Sequence, residues 1–423
     1  MTSIKTRINK LAKIAFPNDE NTEKINEVKK LIKHLNENKV YDTSCSIGVA
    51  YHELPFKAFQ TPSYRSDLQK RTDLIKKSID IKGKKGLDIG CAIGGISFKL
   101  AIDGALMTGV DLNEYEIDIA RKVEKLNRTG CLFYCEDARN FLKRSDQLKN
   151  FDFTIWFSQW MWLVKQYGLD YGKSALFDIS ANVDDLFFET SIGDAAAGQT
   201  MVSYGITSPS AVQNLILENT LYDEAILLNN GPWSNKNRPI FHCKKVRNKK
   251  LFGLTSNVKR LNIDTISKHS ANSEIIENEI KILNKLTNKH FPKLLSHTDH
   301  EILMSYCGQP LTKQNLPEDY SLQCEEILDS LVVADVIHRD INPTNLLVKG
   351  GIIMLIDFGY SGQKSLETDR ELPNNRNNLP LELGFRTFRA PNYFEDRYSL
   401  NKSIEYILKN PSWPINWDPA DHR

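Results

Sequence analysis

The chain has 423 residues, with 55 lysines and arginines against 53 aspartates and glutamates and a formal charge of +2. That length exceeds one ordinary core and suits two domains of roughly 150 to 250 residues. The near balance of charge gives no global field of the kind that draws in a polyanion, so no nucleic-acid partner is expected. Seven scattered cysteines, and no apolar run resembling a signal peptide or membrane span, point to a reducing cytoplasmic setting.

The first forty residues are rich in Lys, Glu and Asn, with apolar positions at Ile25, Val28, Leu31, Ile32 and Leu35. This spacing predicts an amphipathic helix or two. Its apolar stripe fits either a cap on the next domain or a helix for a partner or membrane surface.

From 41 to 243, short apolar segments alternate with helical stretches: GLDIG, MTGVDL, LFYCED, FDFTIWF, DDLFFET, EAILLNN and RPIFHCK. That alternation predicts an α/β Rossmann-like domain, a mainly parallel sheet with helices on both faces. A turn-rich link between the last two segments suits an antiparallel hairpin at the sheet edge. Cys131 and Cys135 flank Phe133 and Tyr134, and read as strand residues rather than metal ligands.

Within this domain, LDIGCAIGG from Leu87 has an acidic residue, Asp88, closing a strand, then Gly90, Ala92, Gly94 and Gly95 leading into a helix. Glycine lets a cofactor approach backbone with no Cβ in the way, and a helix N-terminus offers amide donors. Asp111, ending the next strand, is placed to bind ribose hydroxyls, and Asp137 after the third strand to meet an adenine amino group. A nicotinamide dehydrogenase would carry GxGxxG at this point. The set instead resembles the class I S-adenosylmethionine-dependent methyltransferases, in which many members have glycine where Ala92 stands. After the fourth strand come Ser158, Gln159, Trp160 and Trp162, with Ser158 taken as cofactor-binding and no strong general base in view. Such a site suits an acceptor that is already anionic, for example a phosphate monoester.

The basic stretch from Lys244 to Lys250 marks the expected boundary. Residues 244–423 then read as an α+β protein-kinase-like, two-lobed domain with a shortened C-lobe. In HRDINPTNLLV from His338, Asp340 is spaced from Asn345 as in a kinase catalytic loop, and Asp357 begins an Asp-Phe-Gly triplet. Asp340 would accept the acceptor hydroxyl's proton, while Asn345 and Asp357 would hold Mg²⁺ against ATP. Lys259 is the expected phosphate-reaching lysine, with Arg260 as an alternative. Glu279 is its expected helix partner, with Glu274 and Glu277 as alternatives. Met304 and Tyr306, in MSYCG, form the expected hinge beside adenine. No GxGxxG precedes Lys259, Asn342 replaces the lysine of Ser/Thr kinases, and Asn392 replaces a glutamate after Ala390-Pro391. These departures favour a small-molecule, lipid or sugar kinase over a protein kinase.

A methyltransferase followed by a kinase of this type resembles the bifunctional kinase-methyltransferases that terminate bacterial polymannose O-antigen chains. The resemblance runs from Tyr51 onward through YHELPFKAF, QKRTDLI, LDIGCA, LVKQYG and NEIKIL. It implies phosphorylation of a terminal sugar and methylation of the new phosphate. It also places Tyr51 and Arg71 where they could cover the cofactor or pair with its carboxylate or a substrate phosphate, unless each is a structural contact. The resemblance implies a glycan or glycolipid-linked acceptor, a membrane-associated polymerase partner and a location at the inner face of the membrane. Two departures stand out: Trp160 and Met161 replace the family's paired histidines, and its long C-terminal coiled coil has no counterpart. The competing expectations are a methyltransferase of RNA or a metabolite joined to an independent kinase, and an ATP-sensing pseudokinase that regulates methyl transfer.

Overall fold

The computed structural model describes residues 19–38, 50–59, 63–144, 148–193, 195–229, 238–245, 257–372, 384–414, 417 and 419–422. The chain forms two compact units, residues 1–246 and 247–423.

The first described helix, α1 (Asp19–Asn38), buries Val28, Ile32 and Leu35 in the first unit's core. The Tyr115 hydroxyl donates to Leu31 O at 3.0 Å, and Lys122 pairs with Glu27 at 2.8 Å. The apolar stripe therefore acts as a cap on the domain.

Short parallel strands β1 (Ala50–His52) and β2 (Ser63–Arg65) and helix α2 (Leu68–Ser78) lead into a sheet of seven strands. These are β3 (Lys85–Ile89), β4 (Leu106–Asp111), β5 (Leu132–Cys135), β6 (Phe153–Phe157), β7 (Asp185–Glu189), β8 (Glu224–Leu227) and β9 (Ile240–Lys244). Their order across the sheet is β5-β4-β3-β6-β7-β9-β8, parallel except at β9, which is antiparallel to both neighbours. The last two strands do pair as a hairpin, but β9 inserts beside β7 and leaves β8 at the edge.

Strand chemistry explains the two-faced core. Side chains alternate faces along a strand, so a run buried on both sides is apolar throughout. Along β6, Phe153, Ile155 and Phe157 join the core beneath α1, while Trp156 joins the opposite one with Leu186 and Phe188 of β7. Cys131, just before β5, is buried, and Cys135, the last residue of that strand, is exposed.

In the second unit, four antiparallel strands, β10 (Asn257–Arg260), β11 (Thr265–His269), β12 (Leu294–His297) and β13 (Glu301–Ser305), lie in the order β10-β11-β13-β12. Helix α10 (Ser273–Leu283), capped by the Asn272 side chain, lays Ile276 against Ile302 and Met304. A second core gathers Ile327 and Leu331 of α11 (Tyr320–Val333), Leu346 of β16 (Leu346–Lys349), Leu355 of β17 (Ile352–Leu355), Phe358, and Leu400 and Ile407 of α12 (Asp396–Lys409). Minor strands β14 (Gln309–Pro310), β15 (Val336–Ile337) and β18 (Gly362–Gln363) complete this part. Beyond α12, Trp413 donates its indole N–H to Leu311 O at 2.7 Å, and Tyr406 packs against Phe388, Trp413, Trp417 and His422. Among the described residues, no helix is long and apolar enough to cross a membrane.

Candidate active sites

In the first unit, the loop between β3 and α3 (Gly95–Ile102) carries three alternate backbone positions with left-handed φ: Gly90 at +75°, Ala92 at +50° and Gly94 at +86°. A Cβ on Gly90 would lie 2.9 Å from the Gln159 side chain, and one on Gly94 2.8 Å from the Phe133 ring. Both glycines are therefore required by space as well as by φ. Asp111 ties this loop to the next strand. One carboxylate oxygen accepts from Ala92 N at 2.9 Å and the other from Asn113 N at 3.0 Å. Burial raises its pKa, and those amide donors oppose the rise.

Gly90, Asp111 and Asp137 line one narrow cleft with Leu112, Glu136, Arg139, Gln159, Trp162, Gln166 and Tyr167. Asp137 caps α5 (Ala138–Lys143) and accepts from the Arg139 side chain at 2.7 Å, which holds its pKa below the usual range. Arg139 also lies over the Tyr167 ring, 4.1 Å from its centroid, on α6 (Trp160–Tyr167). Glu136 pairs with Arg144.

Asp88 lies behind the loop. Its carboxylate accepts from Ser97 Oγ at 2.7 Å, and burial, with the nearby Asp111 charge, pushes it up to about 7. Two expected cofactor contacts turn out to be engaged elsewhere. Arg71 is fully buried, 3.1 Å from Asp67 and paired with Glu189, with its guanidinium 5.1 Å from the Phe157 ring centroid. Ser158, at φ +62°, donates to Glu189 at 2.5 Å and accepts from Arg238 at 3.0 Å. Burying so many charges demands mutual pairing, and Glu189 at the end of β7 supplies it. These side chains form internal structure, and for Arg71 that is the alternative left open above. Tyr51 lies on β1, and its side chain is outside the described residues. Trp160 and Met161 are core residues, the Trp160 indole donating to Gly172 O at 2.9 Å. Gln159 and Trp162 face the cleft instead.

The second unit's site corrects the lysine. Lys259 on β10 is exposed, and Arg260 next to it lies over the Tyr306 ring. Lys268 on β11 is the lysine at the centre. Its ammonium is 2.6 Å from Glu279 of α10 and 2.6 Å from Asp357. β11 is hydrogen-bonded between β10 and β13, and its chain runs directly into the capped start of α10. Lysine alone in a short strand does not mark this position; the brief connection from strand to helix does. Burial opposes the charge on Lys268, but Asp357 and Glu279 raise its pKa above the usual value. Burial likewise opposes the Asp357 charge, yet Lys268 holds its pKa below the usual range, while burial raises Glu279.

Below this triad, Asp340 accepts from Gly384 N at 2.8 Å, from Asn342 Nδ2 at 3.0 Å and from Asn345 Nδ2 at 3.1 Å. Burial, reinforced by the Asp357 charge, pushes Asp340 up to about 7. His338 is fully buried and pushed down to about 4, so it is neutral. Its two contacts fix the tautomer: Nε2 donates to Ile356 O at 2.9 Å, and Nδ1 accepts from Asp340 N at 3.2 Å. Asp396, at the start of α12, accepts from the backbone N–H of His338 at 2.9 Å and of Arg339 at 3.3 Å. Sequence reading missed this support, whose only trace is an acidic residue opening a distant helix. Met304 is buried against α10, and Tyr306 follows β13 with its carbonyl accepting from Lys349 at 3.2 Å.

Residues 241–372 match the RIO domain family. A ubiquinone biosynthesis O-methyltransferase from Coxiella burnetii is 39% identical over 67 residues, 16% of this chain and 29% of that protein. The chain thus spans less than a third of that relative's length. The mouse dual specificity protein kinase TTK is 26% identical over 180 residues, 38% of this chain and 20% of that one. Among solved structures, the chain is similar to the bifunctional kinase-methyltransferase WbdD, at 18% identity and a TM-score of 0.39, covering 87% of this chain and 94% of that one. The chain joins a methyltransferase fold to a kinase-like domain.

Proposed function

We propose that this chain is a bifunctional transferase. It phosphorylates a hydroxyl with ATP and methylates the same acceptor, at the new phosphate, with S-adenosylmethionine. The acceptor class we propose is a glycan or glycolipid, and the setting is the cytoplasm, where a membrane-associated polymerase is a fitting partner. The carrying observation is the contact of Lys268 with both Glu279 and Asp357, above an Asp340 held by three donors.

In the kinase-like unit, Lys268 supplies the fixed positive charge for the phosphates of ATP, and Glu279 holds it in place. Asp340 accepts the hydroxyl proton of the acceptor. The donor set fits a hard cation: Asp357 and Asn345 bring a carboxylate and an amide oxygen, and Mg²⁺ takes oxygen ligands while leaving positions for phosphates. Bound there, Mg²⁺ would neutralise charge on the transferring group.

In the methyltransferase-like unit, the Gly90 turn and Asp111 suit the cofactor's ribose and amino acid parts, and Asp137 borders the cleft where adenine would lie. Three carboxylates line that cleft: Asp111 is engaged by the amides of Ala92 and Asn113, Glu136 by Arg144 and Asp137 by Arg139, and the low pKa of Asp137 makes it a poor base. Methyl transfer then depends on orientation, with a nucleophile that arrives ionised. A phosphate monoester, whose second pKa is about 6, meets that need.

The test follows both labels. Purified protein receives γ-labelled ATP, methyl-labelled S-adenosylmethionine and mannose-containing oligosaccharides, with each cosubstrate omitted in turn. Methyl incorporation that depends on ATP supports the reading. Methylation without ATP, or transfer to no glycan, overturns the sequential reaction.

A further inference from the structure

The residue immediately before Asp340 is held in an unusual way. Arg339 has φ +71°, a conformation that costs a non-glycine residue about 1 kcal/mol or more and persists only where neighbours enforce it. The neighbours are explicit. The Arg339 Nη2 donates to Asp369 Oδ1 at 2.6 Å, its Nε to the Asp369 carbonyl at 2.9 Å and its Nη1 to the Tyr360 carbonyl at 3.1 Å. The other Asp369 oxygen accepts from Gln363 N at 2.6 Å. One carboxylate therefore clamps the catalytic loop to the segment that follows Asp-Phe-Gly.

The space around this pair is filled as well. A Cβ on Gly362 would lie 2.5 Å from Arg339 Nη2 and 2.9 Å from Asp369 Oδ2. β18, which carries Gly362, is paired with β15 just before the catalytic loop, with Ile337 opposite Gly362. The Arg339 side chain is only 11% exposed and Asp369 26%. This is more than a solvated surface pair.

In kinases switched by phosphorylation, new arginine-phosphate pairs order the activation segment. Here all three guanidinium nitrogens already have acceptors from this chain, and the negative charge is genetically encoded. We propose that Asp369 is a positioning residue that does the work of an activating phosphate, so that the kinase-like unit is competent as synthesised, with no phosphorylation of the segment. The proposal rests on the phosphotransferase reading above and deepens it.

The test uses the full chain after phosphatase treatment, with Mg²⁺, γ-labelled ATP and a mannose-containing oligosaccharide, and scores phosphate release to water as well as transfer. The wild type turns over without phosphate. Asp369→Ala and Asp369→Asn lower kcat by about 10- to 100-fold, the scale expected from a misplaced catalytic group, with KM for ATP changed by no more than about threefold. Asp369→Glu recovers part of the rate. Hydrogen exchange of residues 338–345 rises in the Ala variant, while exchange in the core helix Tyr320–Val333 of the same unit stays at the wild-type level, which reports intact folding of the second unit. Equal kcat in wild type and Asp369→Ala overturns the proposal while the phosphotransferase reading stands, and so does a wild type that turns over only before phosphatase treatment. A wild type inert under both conditions, with exchange in 338–345 still raised by Asp369→Ala, overturns the phosphotransferase reading and the competence claim together but keeps the clamp.

Discussion

Asp111 ends a strand, Asp357 lies just beyond one and each borders a proposed nucleotide site, yet their surroundings are opposite. Asp111 is met by uncharged backbone amides from Ala92 and Asn113 and has its pKa raised by burial. Asp357 is met by the Lys268 ammonium and has its pKa lowered. The difference matches the cofactors proposed for them. A ribose offers neutral hydroxyl donors, for which a carboxylate on a rigid turn suffices. A triphosphate is a polyanion, so its site must bring cations and hold them in place with buried counter-charges. One site is built from backbone conformation and the other from an ion network, and each should fail differently when altered.

The largest effect is expected at Lys268. Lys268→Met should lower phosphoryl transfer by about 10³-fold, because the cation placed between Glu279 and Asp357 is lost. It should also destabilise the second unit by about 3 kcal/mol, since the fully buried Glu279 loses its cationic partner and keeps the Phe358 amide. Lys259→Met should leave turnover within about twofold, as an exposed surface change does. Steady-state turnover and thermal melts of both variants check this; an inactive Lys259 variant beside an active Lys268 variant would reverse the assignment.

Next comes Asp340, where function and stability pull apart. Its carboxyl is raised to about 7, mainly by burial. A raised folded-state pKa means the native state holds the proton more tightly, so the stabilisation is complete below the ordinary carboxyl range and is lost as pH rises through 7. Asp340→Asn should therefore abolish hydroxyl phosphorylation yet stabilise the chain at pH 8 by about 1 to 2 kcal/mol, an advantage that shrinks to nothing near pH 4. Wild-type kinase turnover should fall as pH drops below 7, in step with a single protonation. Denaturant melts at both pH values, with a rate profile between pH 5.5 and 8.5, measure all three; a variant less stable at pH 8 would show that the carboxylate's three hydrogen bonds outweigh its burial.

Smaller again is Asp111→Asn. Replacing one charged acceptor should weaken S-adenosylmethionine binding by about 10- to 100-fold, the value of a hydrogen bond to an ionised group. ATP binding in the second unit should not change. Calorimetry with each nucleotide separates the two, and an equal loss of both would contradict independent sites.

How much of this was legible in the sequence follows the same division. The glycine turn, the catalytic loop and the Asp-Phe-Gly triplet are local in sequence, so residues 87–95, 338–345 and 357–359 announced themselves, and the mainly parallel character of the sheet, though not its strand order, followed from the alternation of strands with helices. Roles that depend on distant partners did not. Arg71 and Ser158 lie near the cofactor motif, but Glu189 at the end of β7 draws both into an internal ion network. Lys259 and Lys268 both lie on short strands, and only the register of β11 between β10 and β13 decides which one meets α10. Asp369, reaching back to Arg339, carries no local signature, and Asp396, reaching back to His338, only that of an acidic residue opening a helix.

The smallest predicted effect probes the backbone-built site directly. Ala92 holds φ +50° between two glycines that also have positive φ, and its amide donates to Asp111. The left-handed conformation costs alanine about 1 to 2 kcal/mol, whereas glycine adopts it freely. Glycine in turn loses more entropy on folding, by about 0.5 to 1 kcal/mol. Ala92→Gly should therefore stabilise the first unit by no more than about 1 kcal/mol, a rise of roughly 2 to 4 °C in its melting transition for a unit of this size. The N–H that meets Asp111 is unchanged, so S-adenosylmethionine affinity should stay within about twofold. A fall in melting temperature would mean that the methyl group makes a contact worth more than the strain it imposes, and the turn would then owe its shape to packing as well as to backbone freedom.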